Sequence, residues 1–292
     1  MIKYNPKSWG FFKFYSRYVL KRLLPMLVFT TVFTLVVEYL VLDFWSFHYP
    51  GIITFHSILG VFLGLFLVLR TNTAYDRWWE GRKLWGQLVN DTRNLAIKVM
   101  TLAKDDETRA FFGRAIPNVA FAMKEHLREG RNVGEMHLLD DDFKKGLISS
   151  DHRPNYITRA MYDRTRQMRD KGNISDIDFM MMDKELKGFT DIIGACERIH
   201  TTPIPFSYSM FIKKFILFYI LTLPFGLMWQ FGYWTTLIIL PVFYFLFSLE
   251  LISEEIEDPF GNDINDLPLD NLTIKIRKNV REILEQSGSV VE

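Results

Sequence analysis

Three stretches of this chain contain no Asp, Glu, Lys or Arg: 23–37, 44–69 and 215–249. About 20 apolar residues make one helical crossing of a bilayer, and only helices or closed barrels satisfy their backbone groups there. The third run is long enough for two short crossings, and its turn-prone centre at Gln230, Phe231, Gly232 and Tyr233 marks the turn. The spacing therefore predicts spans at 25–42, 52–69, 211–229 and 235–251. The 26 Phe, 12 Tyr and 7 Trp exceed what an ordinary soluble core needs and point to lipid contact.

Basic residues fix the expected orientation. Lys3, Lys7, Lys13, Arg17, Lys21 and Arg22 precede the first span with no acidic residue among them. The second span is followed by Arg70, Arg77, Arg82 and Lys83, and the third is preceded by Lys213 and Lys214. By the positive-inside rule all these ends are cytosolic. The expectation is a multi-pass protein of the cell membrane with both termini in the cytosol. The first run is read as a retained span because it is long for a signal peptide and lacks a small-residue cleavage site.

Between 70 and 212 the chain is charged, with apolar residues at helical spacing. Trp78, Trp79, Leu84, Trp85, Leu88 and Leu95 extend the second span into the cytosol as one long helix. Further helices are expected at 107–128, 155–169 and 175–199, punctuated by Pro154, Gly172 and the Pro203-Ile204-Pro205 step, with an amphipathic helix at 272–284. The predicted fold is all-α. Its parts are a basic N-terminal segment (1–24), two spans (25–69), a cytosolic helical domain (70–210), two more spans (211–251), and an acidic segment with a final helix (252–292).

From the end of the fourth span into that last segment, Glu250, Glu254, Glu255, Glu257, Asp258, Asp263, Asp266 and Asp270 occur with no basic residue until Lys275. The plain reading is a hydrated charge run; a cation site or a partner for the basic N-terminal arm is the sharper one. Glu38 lies inside the first span, where a carboxylate is costly, and Arg17, Arg22 and Arg70 are its candidate partners. His56, near the outer end of the second span, reads as a polar mouth residue or a satisfied packing group.

Other chemistries find little support. The net charge of +1 gives no nucleic-acid signal, and the single Cys196 excludes an intrachain disulfide and reads as a buried small hydrophobe. His48, His56, His126, His137, His152 and His200 are scattered, with no HExxH or other ligand-spaced pair. No nucleophile elbow or phosphate loop is present, so an enzyme is not expected and no cofactor is required. A transporter or a membrane-anchored scaffold remains a rival to a channel.

Three segments carry a resemblance to a known family. They are Arg70-Thr-Asn-Thr-Ala-Tyr-Asp-Arg-Trp-Trp-Glu-Gly-Arg-Lys-Leu-Trp-Gly86 after the second span, Thr202-Pro203-Ile204-Pro205-Phe206-Ser207-Tyr208 before the third, and Asp258-Pro259-Phe260-Gly261-Asn262-Asp263 after the fourth. In order and membrane position they resemble the bestrophins, and the short tail looks like the bacterial branch. The resemblance implies a homopentameric channel for monovalent ions with one central pore lined by the second span. Val61, Leu65 and Leu69 match its hydrophobic neck positions, and Ile177 its cytosolic aperture.

The neck residues stand four apart, so they share a helix face and cover about 12 Å of its axis. Stacked apolar rings of this kind gate by dewetting. The same face could instead pack against a helix or lipid. Gly60 and Gly64 form a small-xxx-small pair on an adjacent face. Animal bestrophins conduct chloride and carry Phe in parts of this neck, whereas this neck is aliphatic and bacterial relatives are associated with monovalent cations. The expectation leans to Na+ or K+, with chloride as the alternative. In animal relatives calcium binds an acidic loop after Pro-Phe-Gly; here only Asp263 and Asp266 remain as oxygen ligands, so a Ca2+ site would be weak or absent.

Overall fold

A computed structural model describes residues 15–45, 51–137 and 140–285, with the side chains of 15–17 excepted. Lys3, Lys7, Lys13 and His48, and the side chain of Arg17, thus fall outside it. Every regular element among the described residues is helical, as the periodicity predicts. In chain order they are α1 (Tyr15–Tyr39), α2 (Gly51–Leu102), α3 (Asp106–Leu127), α4 (Asp141–Ser149), α5 (Arg153–Asp170), α6 (Asp176–Thr201), α7 (Phe206–Phe231), α8 (Thr235–Glu257) and α9 (Leu269–Glu285). A π-helical turn, Leu40–Trp45, extends α1.

The chain divides into two compact units. Among the described residues the first comprises 15–45, 51–77 and 203–257, and its apolar segments are 18–45, the start of α2, and 206–257. The last segment folds into a hairpin: α7 and α8 pack together through Ile212, Ile216, Ile220 and Leu223 against Ile239, Phe243, Phe247 and Leu251. They are joined by a short 3-10 turn, Gly232–Trp234, at the predicted turn. Gly232 adopts φ +55°, a left-handed conformation that costs a glycine little. Val19 and Leu23 of α1 and Leu63 and Leu67 of α2 complete this core.

The second unit comprises, among the described residues, 78–137, 140–202 and 258–285 and is a helical bundle. Trp85, Leu88 and Leu95 of α2 are fully buried in a core shared with α3, α5, α6 and α9. Local chemistry sets its helix starts. Asp105 caps α3 by accepting from the Thr108 amide, and Ser175 and Asp178 form a reciprocal capping box on α6. Cys196 is buried as predicted, which pushes its thiol pKa up to about 12. The short α4 went unpredicted because its nine residues hold too few apolar positions to establish a period.

Candidate functional site

The first half of α2 has two unlike faces. Leu63 and Leu67 are 1% and 3% exposed in the core of their unit, with His56, Arg70 and Ala74 also buried. Val61, Leu65 and Leu69 are 73%, 55% and 48% exposed, so this chain leaves about half or more of each uncovered. The three proposed neck residues therefore lie together on a bare apolar face. Ile177, in the first turn of α6, is likewise bare at 72%, beside exposed Met180 and Met181.

Behind the bare face lies a polar node that the sequence reading missed. Arg70 is fully buried; its Nη2 donates to Glu257 Oε2 at 2.6 Å, and its Nε lies 3.7 Å from Glu250 Oε2. Glu257 Oε1 accepts from the Ile204 amide at 2.6 Å, and the Glu257 carbonyl accepts from Arg77 Nε at 2.9 Å. Because Pro203 and Pro205 have no N–H, Ile204 carries the only backbone donor of that step. Glu257 thus ties the segment before α7 to α2 through one carboxylate.

This node corrects the plain reading of the acidic run. Glu250, Glu255 and Asp266 are buried, and only part of the run is solvated. Arg22 of α1 lies 3.8 Å from Glu255, so the basic approach to the first span does meet an acidic partner. Glu38 is fully buried as well, and neither Arg22 nor Arg70, the two candidate arginines with described side chains, takes it. Arg70 and Arg22 are engaged elsewhere, and Glu38 Oε2 accepts from Thr236 Oγ1 of α8 at 2.9 Å. His56 is the satisfied packing group: its Nδ1 bonds the Ile52 carbonyl and its Nε2 bonds Thr222 Oγ1 of α7.

In the other unit the segments around Gly81 and Phe260 meet. A methyl group on Gly81 would fall 3.1 Å from the Phe260 ring and 3.2 Å from Pro259 Cγ, so any larger residue crowds the buried ring. Trp78 Nε1 donates to the Asn265 carbonyl at 2.9 Å and the Leu267 amide to the Pro259 carbonyl at 2.9 Å, which pins the loop. The two candidate calcium ligands differ within it. Asp263 is exposed, whereas Asp266 is buried and its Oδ2 accepts from the Asp263 amide at 2.6 Å.

The glycine pair of α2 also separates. Gly60 faces Tyr219 of α7, whose hydroxyl a Cβ would approach to 3.0 Å, while a Cβ on Gly64 would point into open space among the described residues.

The histidines are less scattered than the sequence suggests. His126 of α3 and His152, the N-cap of α5, both place Nε2 on Oε1 of Glu197 in α6, at 2.7 and 2.9 Å. No spacing rule could find this trio, since its members sit on three elements.

The model of the family described as Bacterial/Fungal Bestrophin protein matches residues 1–282. A voltage-dependent anion channel-forming protein of Nostoc sp. is 37% identical over 239 residues, 80% of this chain and 78% of its own. Escherichia coli K12 YneE, likewise named a voltage-dependent anion channel-forming protein, is 33% identical over 79% of this chain and 76% of its own. Among solved structures, a bacterial bestrophin homologue from Klebsiella pneumoniae superposes with a TM-score of 0.82 at 26% identity, over 89% of this chain and 97% of that one.

Proposed function

The chain belongs to the bacterial and fungal bestrophin family, and from that premise we propose that it assembles with identical copies, five by the family resemblance, around a pore for monovalent ions. It is a membrane protein and an ion channel rather than an enzyme. The observation that carries the pore reading is the bare face of Val61, Leu65 and Leu69 on a helix whose opposite face is buried. A row of apolar side chains left uncovered by its own chain fits a ring of subunits that turn it inward, where it becomes a dewettable neck. Ile177 is the second constriction in this proposal. Four crossings, with the α7–α8 hairpin counted as two, put both termini on the cytosolic side.

For the permeant ion, the names of the relatives favour anions, against the cation preference expected from the sequence, and anions are the first reading. Cations are the second, for a specific reason. The neck offers neither a basic group nor aromatic ring edges, and exposed Asp76 follows Leu69 seven residues on, on the same helix face. Purified protein in a planar bilayer under asymmetric salt decides between them. A reversal potential near the chloride equilibrium value supports the first reading and one near the cation value the second. Absence of unitary currents would overturn the channel itself.

Calcium belongs to the same proposal in a reduced form. With Asp266 already bonded to the loop backbone, Asp263 is the main outward carboxylate, and removing calcium with a chelator is expected to leave the current nearly unchanged.

A further inference from the structure

We propose that His126, His152 and Glu197 form a binding site for a borderline divalent transition metal, of which Zn2+ is the natural probe. The donor set is two imidazole nitrogens and one carboxylate oxygen, which suits zinc and its first-row neighbours and does not suit calcium or magnesium, both of which demand oxygen. All three ligand atoms lie within 4.8 Å of one another. A metal about 2.0–2.1 Å from each ligand atom holds the three a little over 3 Å apart. The two nitrogens already stand 2.7 and 2.9 Å from the shared oxygen, so loading requires them to part from it only slightly. The imidazole rings are 4.6 Å apart and tilted by 34°.

The scaffold favours this use. Each ligand comes from a different helix or helix start of one bundle, α3, α5 and α6, so their backbones are fixed by the surrounding core. All three side chains are about one third exposed, which leaves an ion a route in. Cavities open beside the trio. One of about 310 Å³ is lined by His152 and Glu197 with Asn155 and Thr190, and another of about 340 Å³ by His126 with Glu125, Glu129 and Ser150. They leave room for water on the open coordination positions.

The proton positions follow from the partners. Both Nε2 atoms face a carboxylate oxygen, so without metal each carries its proton there. His152 Nδ1 meanwhile accepts from the Asn155 amide at 3.2 Å. Metal on Nε2 requires the proton on Nδ1, and at His152 this ends the bond to Asn155. Loading therefore exchanges one long capping bond for a coordinate bond.

Metal binding does not depend on the channel reading. On that reading, however, α6 carries both Glu197 and Ile177, so an ion that fixes α6 to α3 and α5 should alter the current.

The test uses the full chain in detergent, stripped with chelator and titrated with Zn2+ against a chromophoric competitor. His126→Gln, Glu197→Gln and His152→Asn remove ligands one at a time, and the asparagine preserves an N-cap for α5. The expected result is about one Zn2+ per chain in the wild type, binding at least about tenfold weaker in each variant, and a Zn2+-dependent rise in the thermal midpoint that the variants lack. Equal Zn2+ affinity in the wild type and in variants that elute normally overturns the site. So does the absence of saturable uptake by the wild type. If His126→Gln misfolds, His152→Asn alone decides, by affinity and thermal shift. Zn2+ binding with unchanged current would retain the site and reject its link to the pore.

Discussion

Nη2 of Arg70 stands 2.6 Å from Oε2 of Glu257, with the guanidinium fully buried and the carboxylate nearly so. A charge buried this deeply needs its partner, because removing one member strands the other in a medium that solvates it poorly. Arg70→Ala is therefore expected to destabilise the protein by about 3–5 kcal/mol. Glu257→Gln should be milder yet still destabilising, since its amide nitrogen would face the donors of Arg70 or Ile204. Denaturant unfolding in detergent checks both, and wild-type stability in Arg70→Ala would refute the role given to the pair.

The neck makes a separate prediction. Replacing Leu65 with Ser should wet the constriction and enlarge the current, because one hydroxyl per subunit gives water a partner where the wild type offers none. Leu65→Phe should shift permeability toward anions by presenting positive ring edges. Reversal potentials in an ion gradient read the second effect, and an unchanged value would exclude aromatic edges as the selector.

Packing around Phe260 can be tested without any electrical measurement. Gly81→Ala drives a methyl into the Phe260 ring and Pro259, and such overpacking typically costs about 1–3 kcal/mol. Phe260→Leu in the same chain should recover part of that loss. A double-mutant cycle with no coupling between the two would contradict the contact.

Asp270 gives a pH dependence. Burial raises its pKa, but the hydrogen bond from Lys124 and the charge and hydrogen bond of Arg128 outweigh that and hold it below the ordinary carboxylate value. A depressed folded pKa contributes stability that is complete above the unfolded value, about 3.9, and is lost as pH falls through the folded value. Asp270→Asn should therefore lower the thermal midpoint at pH 6, with the gap from wild type closing below about pH 4. A gap that stays constant with pH would assign the effect to packing instead.

Much of this architecture was legible in the sequence, for local reasons. Charge-free runs mark α1, the first half of α2 and the α7–α8 hairpin, because the bilayer constrains each residue on its own. Ser175 and Asp178 announce the start of α6 within four positions. The polar interior was not legible. Arg70 and Glu257 are 187 positions apart, and each looks like an ordinary charge at a membrane boundary until the fold closes over them. The same holds for Glu38, which accepts from the hydroxyl of Thr236 on α8. It holds also for His126 and His152, which come together on Glu197 only once three helices pack. Of the neck, the sequence specifies the helix face, and the structure adds that this face is bare.

The isolated amide of Ile204 implies an order of assembly. Flanked by two prolines, it finds its acceptor on Glu257, 53 residues further along the chain. A growing polypeptide exposes that amide long before the acceptor is synthesised. The Ile204 amide thus cannot reach this acceptor until the whole of α8 has been made. The same carboxylate then takes Arg70 out of water. Pairing of the start of α7 and pairing of Arg70 therefore both wait on the last residue of α8.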